Sequence, residues 1–164
     1  MKPPLIAFSM LAMCLISAGT AAVAASTASA IHQASDTDSQ AIAALLASYT
    51  RCVTEHDEAG FRALLLNEKI PFATVQTSIA TDGSADLRQY EGFRKAVFAS
   101  GQRFRQTFSN VHIEQRGPLA QVSLDFVTEQ ISATRQSSAG WKVLQLVNVD
   151  GHWKIASELY TFEH

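Results

Sequence analysis

The chain has 164 residues, with 13 basic and 15 acidic side chains and a formal charge of −2. That balance, without any basic cluster, excludes the electrostatic footprint of a nucleic-acid-binding domain. The two cysteines, Cys14 and Cys52, fall on opposite sides of an expected processing site, so no intrachain disulfide is expected.

Lys2 gives a short positive start, Leu5 to Ile16 is an apolar run, and small residues follow. Ala-x-Ala sites stand at Ala22-Val23-Ala24 and Ala28-Ser29-Ala30. This is the pattern of a secretory signal peptide over residues 1–30. The longer stretch from Leu5 to Ala25 is broken by Ser9, Ser17, Gly19 and Thr20, which argues against an uncleaved membrane anchor. The expected mature chain starts at Ala25 or Ile31 and works in a bacterial periplasm or as a secreted protein, with no membrane contact after cleavage. Loss of Lys2 leaves 12 basic against 15 acidic residues. The remainder, about 130 residues, has the size of one domain and must be held by its core.

Residues 31–37 are polar and read as a flexible leader; the domain spans 38–164. Asp38 or Ser39 is the expected N-cap of a first helix, and Ile42, Leu45, Leu46, Tyr49 and Val53 form one apolar stripe along it. Asp57 caps a short second helix carrying Phe61, Leu64 and Leu65. Phe72 to Ile79 is a candidate strand, and Asp82-Gly83 a turn. A third helix starts at Ser84 or Asp86 and carries Leu87, Tyr90, Phe93 and Val97 to Gly101. Strands follow over Arg103–Gln115 and Leu119–Gln130, separated by Gly117-Pro118. Val122, Leu124, Phe126 and Thr128 share one face, and Gln121, Ser123, Asp125 and Glu129 share the other.

The last stretch, Gly140 to Phe162, is a hairpin. Asp150-Gly151 supplies the positive φ angles of a type I′ turn between two apolar runs. The run Val143-Leu144-Gln145-Leu146-Val147 is apolar on both faces, as in a strand covered on both sides. Helices followed by an antiparallel meander predict an α+β domain with the helices on one face of the sheet.

The order of these elements, the spacing from Tyr49 to Asp57 and the ending VDGHWKIASELY resemble the nuclear-transport-factor-2-like superfamily, in its SnoaL-like branch. The resemblance covers Asp38 to Phe162. It implies a cone-shaped, strongly curved, mostly antiparallel sheet wrapped around three N-terminal helices, with a largely apolar cavity between them. Members include isomerases, dehydratases and non-catalytic binding modules, so fold alone does not settle function. Tyr49 stands where the ketosteroid isomerases of that superfamily carry a helix-one tyrosine. Their general base would fall near Phe72-Ala73-Thr74 and their second acid near Val143 to Gln145, and neither stretch has a carboxylate. That activity is therefore not expected.

No histidine or cysteine has ligand spacing, and no phosphate loop or nucleophile elbow occurs, so neither a metal nor a cofactor is expected. Asp57 reads as a helix cap, Cys52 as a small core residue, and His56 as an exposed helix-end residue. Gln145 interrupts an apolar strand, and Glu158 precedes Leu159 and Tyr160. A buried polar group needs a partner, and a ligand can be one. The expected cavity groups Tyr49, Gln145 and Glu158, with Phe61, Phe93 and Trp141 as walls. The expected function is an exported protein binding a small, mostly apolar molecule, without established catalysis. Its alternatives are a lyase or isomerase using Tyr49 with Glu158 or Asp125, and a dimeric interaction module. Because both faces of the fourth strand are apolar, a homodimer through the outer face of the sheet is also expected.

Overall fold

The computed structural model describes residues 32–78, 86–132 and 136–163. The expected signal peptide and the Asp82-Gly83 turn lie outside them. Helix α1 spans Asp36–Glu55. Ser35 caps it in an extended conformation, its Oγ accepting the Asp38 N–H, while Asp36 and Asp38 face the positive end of the helix dipole. The cap therefore lies upstream of the expected Asp38 or Ser39. The stripe expected from the sequence is the buried one: Ile42, Leu45, Leu46, Tyr49 and Val53, with Cys52 beside it. The stretch expected as a loose leader is tied down, because the Gln115 N–H donates to the His32 carbonyl and Gln33 bridges Glu114.

His56 closes α1 in the left-handed region at φ 64°. It is half-buried rather than exposed, with Nε2 2.7 Å from the Phe98 carbonyl. Helix α2 spans Glu58–Leu64, capped as expected by Asp57, whose Oδ1 accepts the Gly60 N–H at 2.8 Å. Strand β1 is only Phe72–Thr74 and passes directly into α3, Val75–Ser78. The strand expected to Ile79 stops there because the Gln76 side chain takes over the bonding to the last strand. Its Nε2 donates to Thr161 Oγ1 at 2.5 Å and to the Phe162 carbonyl at 3.0 Å. Helix α4, Tyr90–Arg94, runs into one π-helical turn over Lys95–Ala99.

Four long strands complete the domain: β2 Phe104–Arg116, β3 Leu119–Gln130, β4 Gln136–Val149 and β5 His152–Phe162. The sheet order is β1-β5-β4-β3-β2, antiparallel throughout except that β1 runs parallel to β5. Registers pair inward residues across the sheet. Leu124 lies opposite Lys142, Phe126 opposite Gly140, and Leu144 opposite Glu158. The inner face meets α1 and the aromatic cluster of Phe61, Phe72, Tyr90, Phe93 and Phe98. Within that cluster Phe72 and Phe93 lie 4.8 Å apart, and Phe61 and Phe93 lie 5.1 Å apart. This is the expected α+β arrangement, with an open five-stranded sheet.

Two β-bulges interrupt the ladders. In β2, Asn110 and Val111 together oppose Leu124, with Asn110 at φ 50°. The bulge turns Val111 out to solvent, 44% exposed, while Ile113 packs against the core. In β5, Gln145 pairs with Ser157 and Leu146 with Ile155, so Ala156 is the extra residue. Trp153 and Ile155 face inward before it; Glu158 is buried beyond it. Unbroken alternation from Trp153 and Ile155 would instead have sent Ser157 and Leu159 inward.

Candidate functional site

Three polar side chains meet in the core. Tyr49 comes from the middle of α1, Lys142 from β4 and Glu158 from β5, just past the Ala156 bulge. Lys142 Nζ lies 2.7 Å from Glu158 Oε1 and 2.8 Å from the Tyr49 hydroxyl, and that hydroxyl donates to the same Oε1 at 2.9 Å. Each atom is thus bonded to the other two. Tyr49 and Glu158 are fully buried, and Lys142 is 2% exposed.

Four aromatic rings surround the ammonium. Their centroids lie 4.5 Å (Tyr49), 5.1 Å (Phe126), 5.3 Å (Phe108) and 5.5 Å (Tyr160) from Lys142 Nζ. Ring quadrupoles supply part of the solvation that burial removes. Burial nevertheless lowers the Lys142 pKa, and the Glu158 carboxylate opposes that shift. Burial also raises the Tyr49 pKa well above its ordinary value, with the Glu158 charge acting in the same direction. Tyr160 is pushed up to about 12, by burial first and Glu158 second.

The hydrogen-bond count at the triad is incomplete. Glu158 Oε2 is buried and has no partner among the described residues. Lys142 has three N–H donors and spends two of them. Nearby on β2, Gln106 donates from Nε2 to Thr128 Oγ1 at 2.9 Å, while its buried Oε1 has no partner among the described residues.

These groups reach a cavity of about 320 Å³. Lys142, Glu158, Gln106, Phe72, Ala73 and Phe126 line its buried end. Gly92, Ala96, Ser138 and Phe162, all exposed, form its rim, with Phe93, Val97, Phe104 and Tyr160 between. The walls are mostly apolar, the polar groups gather at the closed end, and the volume lies at the small end of the usual ~300–1,000 Å³ range of ligand sites.

The sequence-predicted grouping divides. Glu158 and Phe93 line the cavity. Tyr49 lies behind its closed end, bonded to two lining residues. Phe61 is fully buried under Phe93 and does not reach the cavity. Gln145 and Trp141 are corrected: both project from the outer face of β4, where Gln145 accepts from Ser157 Oγ at 2.9 Å and Trp141 is 49% exposed. The reason is the phase of β4, whose inward set is Gly140, Lys142, Leu144 and Leu146. Asp125 is also on the outer face, accepting from Asn110 Nδ2 at 2.6 Å. Lys142 and Gln106 were missed. For Gln106 a signal was available as strand phase, between Phe104 and Phe108; for Lys142 none was, because the residues after it are apolar on both faces of β4. No group of three His, Cys, Asp or Glu side chains is placed to hold a metal among the described residues.

No protein-family model matches the sequence, and no curated protein does. Solved structures do match. A nuclear transport factor 2 (NTF2-like) superfamily protein from Salmonella enterica has a TM-score of 0.65 at 14% identity, covering 80% of this chain and 94% of that one. A candidate scytalone dehydratase from Novosphingobium aromaticivorans has a TM-score of 0.63 at 15% identity, over 78% of this chain and 85% of its own. A Mycobacterium tuberculosis protein of unknown function has a TM-score of 0.62 at 21% identity, over 79% of this chain and 77% of that one. At these identities the likeness is one of fold.

Proposed function

Starting from a nuclear-transport-factor-2-like fold, we propose that this chain is an exported protein that binds a small, mostly apolar molecule carrying one polar end. One observation carries the reading: Glu158 lines the closed end of an apolar cavity beside Lys142, with a carboxylate oxygen that has no partner among the described residues. An unmet buried acceptor costs about 1–3 kcal/mol, and a ligand hydroxyl or amine placed there recovers that cost. The apolar walls take the rest of the molecule by burial. Export rests on the signal-peptide pattern of residues 1–30. Pairing of two copies rests on the outer face of the sheet, where Val127, Trp141 and Val149 are exposed and Val143 and Val147 half-exposed.

Mass spectrometry of the protein purified from its own cell envelope tests the reading. The expected result is a copurifying small molecule that is lost from Glu158→Gln. Native protein that carries nothing, and whose melting temperature is unmoved by apolar alcohols and amines, overturns it. N-terminal sequencing of that same material should begin at Ala25 or Ile31; a start at Met1 refutes export.

A second reading, a lyase or isomerase, is favoured by the convergence of two titratable groups, Lys142 and Glu158, on one cavity. It does not follow the ketosteroid-isomerase pattern. The β1 stretch Phe72-Ala73-Thr74 lines the cavity without a carboxylate, and the Tyr49 hydroxyl is already committed to Glu158.

A further inference from the structure

We propose that Lys142 is a covalent capture residue: its amine condenses with an aldehyde or ketone held in the apolar cavity, forming an imine. This rests on the ligand-binding reading above and gives the ligand a carbonyl, whose carbinolamine hydroxyl is the donor that Glu158 Oε2 can accept from.

The geometry is that of an amine prepared for the reaction. Lys142 lines the closed end of the cavity, its Nζ held against Glu158, another lining residue, and the walls beyond are mostly apolar. A lysine held out of water is the type that forms imines, because only the neutral amine attacks carbon. Burial acts on Lys142 in that direction. Lys69 and Lys95 are exposed, and Lys154 donates to the Ala63 carbonyl at 2.6 Å, so none of the three shares this setting.

Glu158 supplies the proton traffic. The Lys142 ammonium passes a proton across the 2.7 Å contact to Glu158 Oε1, leaving a neutral amine beside a carboxylic acid. The nitrogen lone pair attacks the carbonyl carbon; the C–N bond forms and the C=O π pair moves onto oxygen. That oxygen takes a proton originating on nitrogen, giving the carbinolamine. Glu158 then protonates the hydroxyl, the C–O bond breaks, and water leaves as the nitrogen lone pair closes the C=N bond. The product is an iminium facing a carboxylate. One aldehyde and one ammonium become one iminium and one water, so the buried site ends with the charge pair it began with. The cage of Tyr49, Phe108, Phe126 and Tyr160 accommodates that cation as it accommodates the ammonium.

The test uses the full mature chain with benzaldehyde and cyanoborohydride at pH 7, which fixes an imine as a stable benzyl amine. Peptide mapping should place the first benzyl group on Lys142, about tenfold ahead of Lys69, Lys95 and Lys154, because the cavity holds the aldehyde against the amine. Benzyl alcohol, which fits the cavity but lacks the carbonyl, should raise the melting temperature and slow the labelling. Lys142→Arg retains a positive partner for Glu158 and should lose the adduct. Wild-type protein stabilised by benzyl alcohol but labelled only at its exposed lysines overturns the imine and leaves the binding reading standing. Protein that neither benzyl alcohol stabilises nor benzaldehyde labels at Lys142 overturns both.

Discussion

Replacing Lys142 by Met should destabilise the protein heavily, and replacing its partners as well should undo most of the loss. Methionine is unbranched and one atom shorter than lysine, and it removes the charge. Glu158 then sits at 0% exposure with one oxygen unpartnered and the other holding only the Tyr49 hydroxyl. Breaking a buried ion pair from one side costs about 3–5 kcal/mol, because the remaining charge is left uncompensated. For a domain of about 130 residues, at roughly 4 °C per kcal/mol, that is a fall in melting temperature of about 12–20 °C. It is a large share of the ~5–15 kcal/mol that a folded domain typically has. Lys142→Met with Glu158→Leu removes both charges, and adding Tyr49→Phe removes the hydroxyl they would strand. The triple variant should lie within about 1 kcal/mol of wild type or above it. Urea unfolding followed through the fluorescence of Trp153, which is 6% exposed, reads these values, with unchanged m-values showing that the two end states are comparable. If Lys142→Met costs less than about 1 kcal/mol, or if the single costs simply add in the multiple variant, the pair is solvated and the reasoning fails.

Alkali should unfold the protein steeply. Its three tyrosines are all held above their ordinary value of 10.0, Tyr90 and Tyr160 to about 12 and Tyr49 well above it, chiefly by burial. A raised folded-state pKa gives stability that is complete below pH 10 and is lost as pH climbs through the folded values. The slope is up to about 1.4 kcal/mol per pH unit for each phenol, and Tyr160→Phe should remove one such share. Lys142, whose pKa is lowered, acts with the opposite sign, and its contribution is complete near its ordinary 10.5. Tyrosinate absorbance that rises near pH 10 while the fold is intact would contradict this. Val147→Lys places a charge on the outer face of β4, and light scattering should find a folded monomer where the wild type is a dimer; a wild type that is already monomeric at high micromolar concentration ends the pairing proposal. Gly140→Ala should cost about 1–3 kcal/mol and weaken ligand binding, since the new Cβ would meet the Phe126 ring at 2.9 Å as well as the Thr161 carbonyl, and Phe126 is a cavity wall.

The fold was legible where short-range chemistry decides it. Asp150 and Gly151 adopt the positive φ angles that the hairpin requires, and the α1 stripe is buried as its spacing indicates. The site was half legible. Glu158 was found because a carboxylate among apolar neighbours is conspicuous. Gln145 was chosen for the same reason and lies on the opposite face. In β4 both faces are apolar, so hydropathy carries no phase, and the pattern of exposure comes only from the register with β3 and β5. Lys142 was hidden by a sound prior, that lysine is almost never fully buried unless paired. Its partner is sixteen positions away, across a hairpin with an extra residue, and no local pattern reports that. The short β1 was overread because the side chain of Gln76, rather than the backbone, completes the bonding to β5.

The extra residue at Ala156 sets two threadings of β5 against each other. In the one observed, Glu158, Tyr160 and Phe162 pair with Leu144, Lys142 and Gly140. A regular ladder without the bulge would send Ser157, Leu159 and Thr161 to the helices in place of Glu158, Tyr160 and Phe162, taking the carboxylate out of the core. By hydropathy alone that alternative is attractive. It would leave Lys142 in the core with no counter-ion, and an isolated buried charge outweighs a single apolar contact. The ion pair therefore acts as a selector between threadings, whatever small sum it adds to stability. Lys142→Met alone, which leaves Glu158 in the core without its counter-ion, is the protein in which β5 is expected to show two sets of amide resonances.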